Sequence, residues 1–98
     1  MKGMKQVAEY PRCAVSVLLV LHRHGGMLRF GQVVRAVRMS DRSAERGLAW
    51  LTGKGLTAKN AGQVNGKKFA EYALTPRGRS LVDVILPLME WQKRYGGA

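Results

Sequence analysis

The order of secondary-structure signals between residues 27 and 75 is the feature that most constrains how this chain can fold. A brief strand-like segment at residues 27–30 is followed by two basic helical segments. Two further strand-like segments then flank Asn65-Gly66, a dipeptide typical of tight β-hairpin turns. A strand, two helices and a hairpin in this order predict an α+β domain that is mostly helical, with one small antiparallel sheet.

Apolar periodicity, together with start and stop signals, predicts where each element lies. We expect helices at residues 12–23, 31–38, 41–54 and 76–95, and strands at residues 27–30, 56–60 and 69–74. Ser40 and Thr75 are good N-caps for the third and fourth helices, and Pro76 suits a first helical turn. The polar residues 61–68 are expected to form the tip of the hairpin.

The chain has 98 residues, which favours a single domain over residues 1–98. Within it we predict a core at residues 11–75 and a long C-terminal helix at residues 76–95. Apolar residues make up 46% of the sequence, which excludes a disordered chain. No signal peptide is visible, and the apolar run at residues 14–21 is too short to span a bilayer. The single cysteine fits a reducing compartment, so we expect a cytoplasmic protein.

The charge balance predicts a polyanionic partner. The sequence has 17 Lys and Arg residues against 6 Asp and Glu residues, a formal net charge of +11 at pH 7. Nucleic acid and an anionic membrane surface could both supply the opposite charge. The basic residues are spread over several elements of the predicted domain, not gathered on one amphipathic helix, which favours nucleic acid and a nucleoid-associated location.

A basic third helix followed by a basic hairpin is typical of a winged helix-turn-helix. In the third helix, Ala44, Leu48 and Leu51 share one face, while Arg42 and Arg46 lie on the opposite face. We therefore predict that this recognition helix, residues 41–54, enters the major groove of double-stranded DNA. The wing, residues 60–69, would reach the minor groove or the DNA backbone.

The candidate DNA contacts lie on the third helix, on the wing and at the starts of two other helices. They are Arg29, Ser40, Arg42, Ser43, Arg46, Lys67, Lys68, Arg77 and Arg79. Arginine can bridge the O6 and N7 atoms of guanine or hold a phosphate. The alternatives are a solvated basic face on the third helix and a soluble hairpin tip whose lysines discourage edge pairing.

The fourth helix is apolar on two sides. One stripe contains Leu81, Ile85 and Leu88, and the other contains Val84, Trp91 and Tyr95. A helix of this kind needs two surfaces to pack against, its own domain and a partner. We predict that it is the dimerisation helix of a homodimer, with an interface formed by Val84, Leu88, Trp91 and Tyr95.

The sequence resembles the HxlR group of MarR-like winged-helix transcription regulators over residues 15–95. The shared residues are Arg29-Phe30, Met39-Ser40 with Arg42, Leu48, Leu51, Gly55, Leu56, the run Glu71-Tyr72-x-Leu74-Thr75-x-x-Gly78-Arg79-Ser80-Leu81, and Glu90-Trp91. The resemblance implies a homodimer whose terminal helices pair, and a two-fold DNA operator.

The sequence departs from the HxlR pattern at three places. Ala14-Val15 stands where the group usually has Lys-Trp, and Gly47 stands where it often has arginine. The segment Lys67-Lys68-Phe69 replaces the Pro-Pro-Arg that often precedes Glu-Tyr in the wing. Many members carry an N-terminal redox cysteine well upstream, whereas Cys13 lies close to the core, so that role is not transferred.

No arrangement of residues points to catalysis, a cofactor or a metal. The spacing in His22-x-His24 points the two rings apart on a helix, unlike helical metal ligands. Cys13 lies on an apolar helix and is expected to be buried, and Trp50 is expected to pack under the wing. We predict a non-enzymatic DNA-binding regulator. An architectural protein that coats DNA and a winged-helix protein-interaction module are the alternatives.

Overall fold

The computed structural model describes residues 10–96, so the ends of the predicted domain at residues 1–9 and 97–98 lie outside it. The described residues form four helices and three strands. In chain order these are α1 (Arg12–Arg23), β1 (Met27–Arg29), α2 (Phe30–Val37), α3 (Asp41–Gly53), β2 (Thr57–Val64), β3 (Lys67–Leu74) and α4 (Pro76–Tyr95). The predicted α+β winged helix-turn-helix fold is confirmed.

The three strands form one antiparallel sheet in the order β1-β3-β2. The hairpin is longer than predicted, because pairing continues to Val64 and resumes at Lys67. The turn is the dipeptide Asn65-Gly66, whose φ angles of 52° and 79° are left-handed, as a two-residue hairpin turn of this kind requires. The predicted strand ends at residues 60 and 69 are therefore wrong, because residues 61–64 and 67–68 also belong to the strands. The predicted wing, residues 60–69, is the far end of this hairpin, around the Asn65-Gly66 turn. Polar side chains suit these strand ends because both faces of the hairpin are solvated there.

The core is built around α1, which is buried on most of its circumference as expected. Its fully buried side chains pack against the inner faces of α2, α3 and α4. The largest fully buried side chains in this core are Val17, Leu18 and Leu21 of α1, Val33 of α2, Leu48 and Leu51 of α3, and Val82 of α4. Val82 of α4 was not predicted, although Leu81 and Ile85 do pack against the core as expected. Leu88, the third member of that stripe, is 51% exposed and lies beyond the core.

Both predicted helix caps are present, and one of them joins two elements. The Ser40 hydroxyl accepts a hydrogen bond from the Ser43 amide at 3.1 Å, which caps α3. The Thr75 hydroxyl accepts from the Gly78 amide at 3.1 Å and donates to the Gly55 carbonyl at 2.6 Å. Thr75 therefore fixes the start of α4 against the turn that ends α3.

Gly78 lies at this junction with no room for a side chain. A Cβ atom there would collide with the carbonyl group of Leu56, which is backbone and cannot rotate away. We expect Gly78→Ala to lower the free energy of unfolding by about 3 kcal/mol, since overpacking against backbone is costly. Chemical denaturation would measure this change in the free energy of unfolding.

A matched control for Gly78 is available at the end of α3. Gly53 is helical and exposed, and a Cβ there would meet nothing within 4 Å. Gly53→Ala should raise the free energy of unfolding by roughly 0.5 kcal/mol through helix propensity. Equal effects of the two substitutions would show that the α4 junction is not tightly packed.

Candidate nucleic-acid interface

The outward face of α3 is basic and accessible. Arg42 and Arg46 are exposed one helical turn apart, and the small residue Ala49 continues the same face. The opposite face, which includes Ala44 and Leu48, is buried as predicted. Since α3 is held from behind by the core, its arginines point away from the domain, as a helix that enters a DNA groove requires.

The other two candidates on α3 are partly used by the helix itself. The Ser40 hydroxyl caps the helix and also donates to the Ser43 hydroxyl at 3.0 Å. Ser40 is exposed and Ser43 is half-buried. Ser40 and Ser43 lie at the start of α3, one before and one after Arg42 in the sequence.

Gly47 lets α3 approach α1 more closely than a side chain would allow. A Cβ at this position would lie 2.8 Å from the carbonyl oxygen of Cys13 and 3.2 Å from the amide nitrogen of Ala14. Position 47 therefore faces the backbone of α1 in this protein, and an arginine here could not reach solvent without moving α3. This close approach explains why the chain departs from the arginine-bearing pattern.

The wing lysines are exposed but point in different directions. Lys67 lies opposite Val64, and Lys68 lies opposite Gln63, at the end of the hairpin next to the turn. Successive side chains of a strand alternate between its two faces, so Lys67 and Lys68 occupy opposite faces of the wing. One lysine is therefore available on each face.

Arg29 and Lys68 are brought together in an open cleft between the start of α2 and strand β3. The cleft has a volume of about 450 Å³, and its polar lining consists of Arg29, Gln32, Arg35 and Lys68. The guanidinium carbon of Arg29 lies 4.3 Å from the centre of the Phe69 ring. The sequence did not predict that Arg35, Gln32 or Phe69 belongs to a site.

Arg77 and Arg79 are both exposed in the first turn of α4. The guanidinium of Arg79 reaches the turn between α1 and β1, where a Cβ on Gly26 would lie 3.3 Å from one of its nitrogen atoms. The structure therefore places the Arg79 side chain beside this turn.

Trp50 and Cys13 lie in surroundings that differ from those expected from the sequence. The Trp50 ring packs against Tyr10, with ring centres 5.1 Å apart, and the Lys54 amine lies 5.7 Å from its centre. Its aromatic partner is therefore Tyr10, in the segment before α1, and Trp50 also packs against the core. Cys13 is half-buried instead of buried, because it lies in the first turn of α1, where the helix leaves the core.

The C-terminal half of α4 presents an exposed apolar stripe. Val84, Leu88, Trp91 and Tyr95 are 66%, 51%, 56% and 68% exposed. Their spacing of four, three and four residues places them along one side of the helix. The Trp91 and Tyr95 rings lie 5.7 Å apart, so the stripe ends in an aromatic pair.

Metal-binding clusters and membrane-spanning helices are both absent from residues 10–96. No group of three His, Cys, Asp or Glu side chains in this range could hold a metal ion. None of the helices described is long and apolar enough to cross a membrane.

A helix-turn-helix with an exposed basic third helix and a basic hairpin defines the class of winged-helix DNA-binding proteins. The family model for HxlR-like helix-turn-helix proteins matches residues 13–98. The chain belongs to this family, and it is a winged-helix DNA-binding transcription regulator of the MarR-like superfamily.

Solved structures with the same fold support this assignment. BpsR of Bordetella bronchiseptica, whose DNA binding is regulated by 6-hydroxynicotinic acid, is 26% identical, with a TM-score of 0.76 over 93% of this chain and 69% of BpsR. A MarR family transcriptional regulator from Silicibacter pomeroyi is 24% identical, with a TM-score of 0.71 over 87% of this chain and 55% of its own. Diamide-treated YodB from B. subtilis is 19% identical, with a TM-score of 0.71 over 87% of this chain and 82% of YodB. The chain thus spans just over half of the Silicibacter regulator. No curated protein matches the sequence.

Proposed function

We propose that this protein is a homodimeric transcription regulator that binds a specific sequence of double-stranded DNA. The observation that carries the proposal is the exposed pair Arg42 and Arg46 on α3, whose opposite face is anchored in the core. In this proposal α3 lies in the major groove and the wing contacts the minor groove or the backbone. Ser40 and Ser43, at the leading edge of α3, would contact a phosphate or a base edge.

The remaining basic candidates would hold the DNA backbone. Lys67 and Lys68 lie on opposite faces of the wing, and each would contact a phosphate or the minor groove. Arg29 would contact a phosphate beside the wing. Arg77 and Arg79 would contact phosphates farther along the duplex, from the start of α4. Such contacts set the orientation of the protein on DNA and provide affinity without reading sequence.

The dimer would form through the exposed stripe of α4. Two copies of this stripe, related by a two-fold axis, would cover Val84, Leu88, Trp91 and Tyr95 in each protomer. The dimerisation helix at residues 76–95 would thereby join two DNA-binding cores at residues 11–75. Because Thr75 fixes α4 to the end of α3, the dimer would also set the distance between the two recognition helices.

Selection from a random pool of duplex DNA at about 150 mM salt tests sequence specificity, because nonspecific phosphate binding is weakened there. Enrichment of an inverted repeat with half-sites about 10 base pairs apart would support a dimeric regulator. Retention without enrichment would favour an architectural protein that coats DNA without sequence preference. Absence of retention would favour a protein-interaction module.

A further inference from the structure

We infer that Phe69 is a positioning residue, which holds the guanidinium of Arg29 over its ring so that Arg29 can bind a backbone phosphate of duplex DNA. The inference rests on the proposed DNA-binding function and names a contact within it. It concerns a residue that replaces the arginine often found at this place in the HxlR pattern.

The sheet register fixes the Phe69 ring. Phe69 lies directly opposite Gly62 across the β2–β3 pair. A Cβ on Gly62 would lie 2.6 Å from the Cζ atom of Phe69, so the ring extends across the space above this glycine. Glycine at this position therefore allows the ring to lie flat on the hairpin, an aromatic cover over a strand glycine.

Strand β1, which pairs with β3 on its other side, ends in Arg29, the cation that contacts the ring. Arg29 lies opposite Glu71, two residues along β3 from Phe69, so the side chains of Arg29 and Phe69 are diagonal neighbours on one face. The guanidinium carbon is 4.3 Å from the ring centre, within the range of a cation–π contact. The Arg29 amide donates to the Gln32 side chain at 2.9 Å, which fixes the backbone at the start of α2.

Stacking leaves the hydrogen-bonding capacity of Arg29 unused. A guanidinium that lies on a ring contacts it with its face, while its N–H donors point outward in the guanidinium plane. Arg29 remains exposed in this arrangement. The ring therefore limits the freedom of the arginine side chain without occupying its donors, which lowers the conformational entropy lost when an anion binds.

The surroundings of Arg29 favour an anion. Arg35 and Lys68 line the same cleft, and no carboxylate does. Glu71 lies opposite Arg29 in the strand register but is not part of this lining. Arg29 and Arg35 both lie at this open cleft, and two cations so placed favour the binding of an anion. Because the cleft joins α2 to the wing, a duplex held by both α3 and the wing offers it a phosphate.

A double-mutant cycle tests the inference on one duplex of fixed sequence. Phe69→Leu should weaken binding about fivefold when Arg29 is present and by less than twofold in the Arg29→Ala background. Phe69→Tyr keeps a ring and should bind like the wild type. Arg29→Ala should lower the slope of log affinity against log salt by about 0.9, the value expected for one lost phosphate contact.

Arg29→Lys separates charge from stacking without changing the buried part of the chain. It should retain the wild-type salt slope and lose affinity to the same degree as Phe69→Leu, because an ammonium lacks the planar face. If Phe69→Leu weakens binding equally with and without Arg29, the positioning role is overturned. If the wild type binds and Arg29→Ala leaves the salt slope unchanged, the phosphate contact is overturned while DNA binding stands. Failure of the wild type to bind any duplex would overturn the proposed function itself.

Discussion

Trp91→Asp should raise the dissociation constant of the dimer about a hundredfold. Trp91 is 56% exposed in the single chain, so the fold does not depend on it. In a two-fold α4 interface the ring would lie at the centre of the stripe, between Leu88 and Tyr95, where truncation of an aromatic residue costs most. An aspartate there would also bury a charge without a partner. Sedimentation equilibrium over a range of protein concentrations would give the dissociation constant.

Lys93→Asp is the matched control for the dimer prediction. Lys93 is exposed on α4, about half a helical turn away from the Trp91 side, and lies outside the stripe. It should therefore leave the dimer dissociation constant within about threefold of the wild type, because a surface charge away from the interface contributes little. A monomer mass for the wild type at micromolar concentration would contradict the dimer, whatever the variants do.

Loss of the dimer should also weaken binding to an inverted repeat more than binding to one half-site. A dimer that engages its first half-site holds the second recognition helix at a high effective concentration, which a monomer lacks. Trp91→Asp should therefore bind a single half-site duplex like the wild type and lose its preference for the repeat. Comparison of the two duplexes separates an interface defect from damage to α3.

Local signals predicted most of the fold. Ser40 and Thr75 were found because an N-cap depends on a hydroxyl within the same turn of chain. The inward face of α3 was found because helical periodicity determines which residues share a side. The bounds of α1 were confirmed for the same reason, since an apolar run between stop signals defines a buried helix.

The errors concern strand pairing and side-chain packing, which the local sequence patterns did not determine. The strands of the wing extend to Val64 because cross-strand pairing, and not polarity, decides where a hairpin ends. The ring of Trp50 meets Tyr10, a residue 40 positions earlier, which no periodic pattern could indicate. Val82 was missed because two of its neighbours, Leu81 and Ile85, gave a stronger stripe in the sequence.

The candidate site was predicted only in its exposed parts. The sequence located Arg42 and Arg46, because their accessibility follows from the buried opposite face. The stack of Arg29 on Phe69 was missed, because it requires the β1–β3 register and the space above Gly62. The sequence feature that indicates the position of the Phe69 ring is a glycine and an aromatic residue at equal distances from the Asn65-Gly66 turn.

Arg42→Ala combined with Arg46→Ala should weaken duplex binding by more than tenfold. Both side chains are exposed, so the free energy of unfolding should change by no more than about 0.5 kcal/mol. The loss would arise from two charge-assisted contacts, each to a phosphate or to a guanine edge. Fluorescence anisotropy with the selected duplex, at a fixed salt concentration, would measure the change in affinity.

A second pair of arginines controls for total charge. Arg12 and Arg23 are exposed at the two ends of α1, which lies behind α3 in the fold, and their replacement by alanine removes the same charge. This control should weaken binding by about threefold or less, because it alters only long-range attraction. Equal losses in the two double variants would mean that net charge, not the position of α3, provides the affinity.

The variant that lacks both Arg42 and Arg46 also distinguishes a regulator from an architectural protein. If Arg42 and Arg46 contact base edges, their loss should reduce affinity for the selected sequence more than affinity for a scrambled duplex. If they contact only phosphates, both affinities should fall by the same factor and the salt slope should decrease by nearly two. Unchanged binding by a folded double variant would rule out α3 as the recognition helix. The basic cleft between α2 and the wing would then be the surface of first contact with DNA.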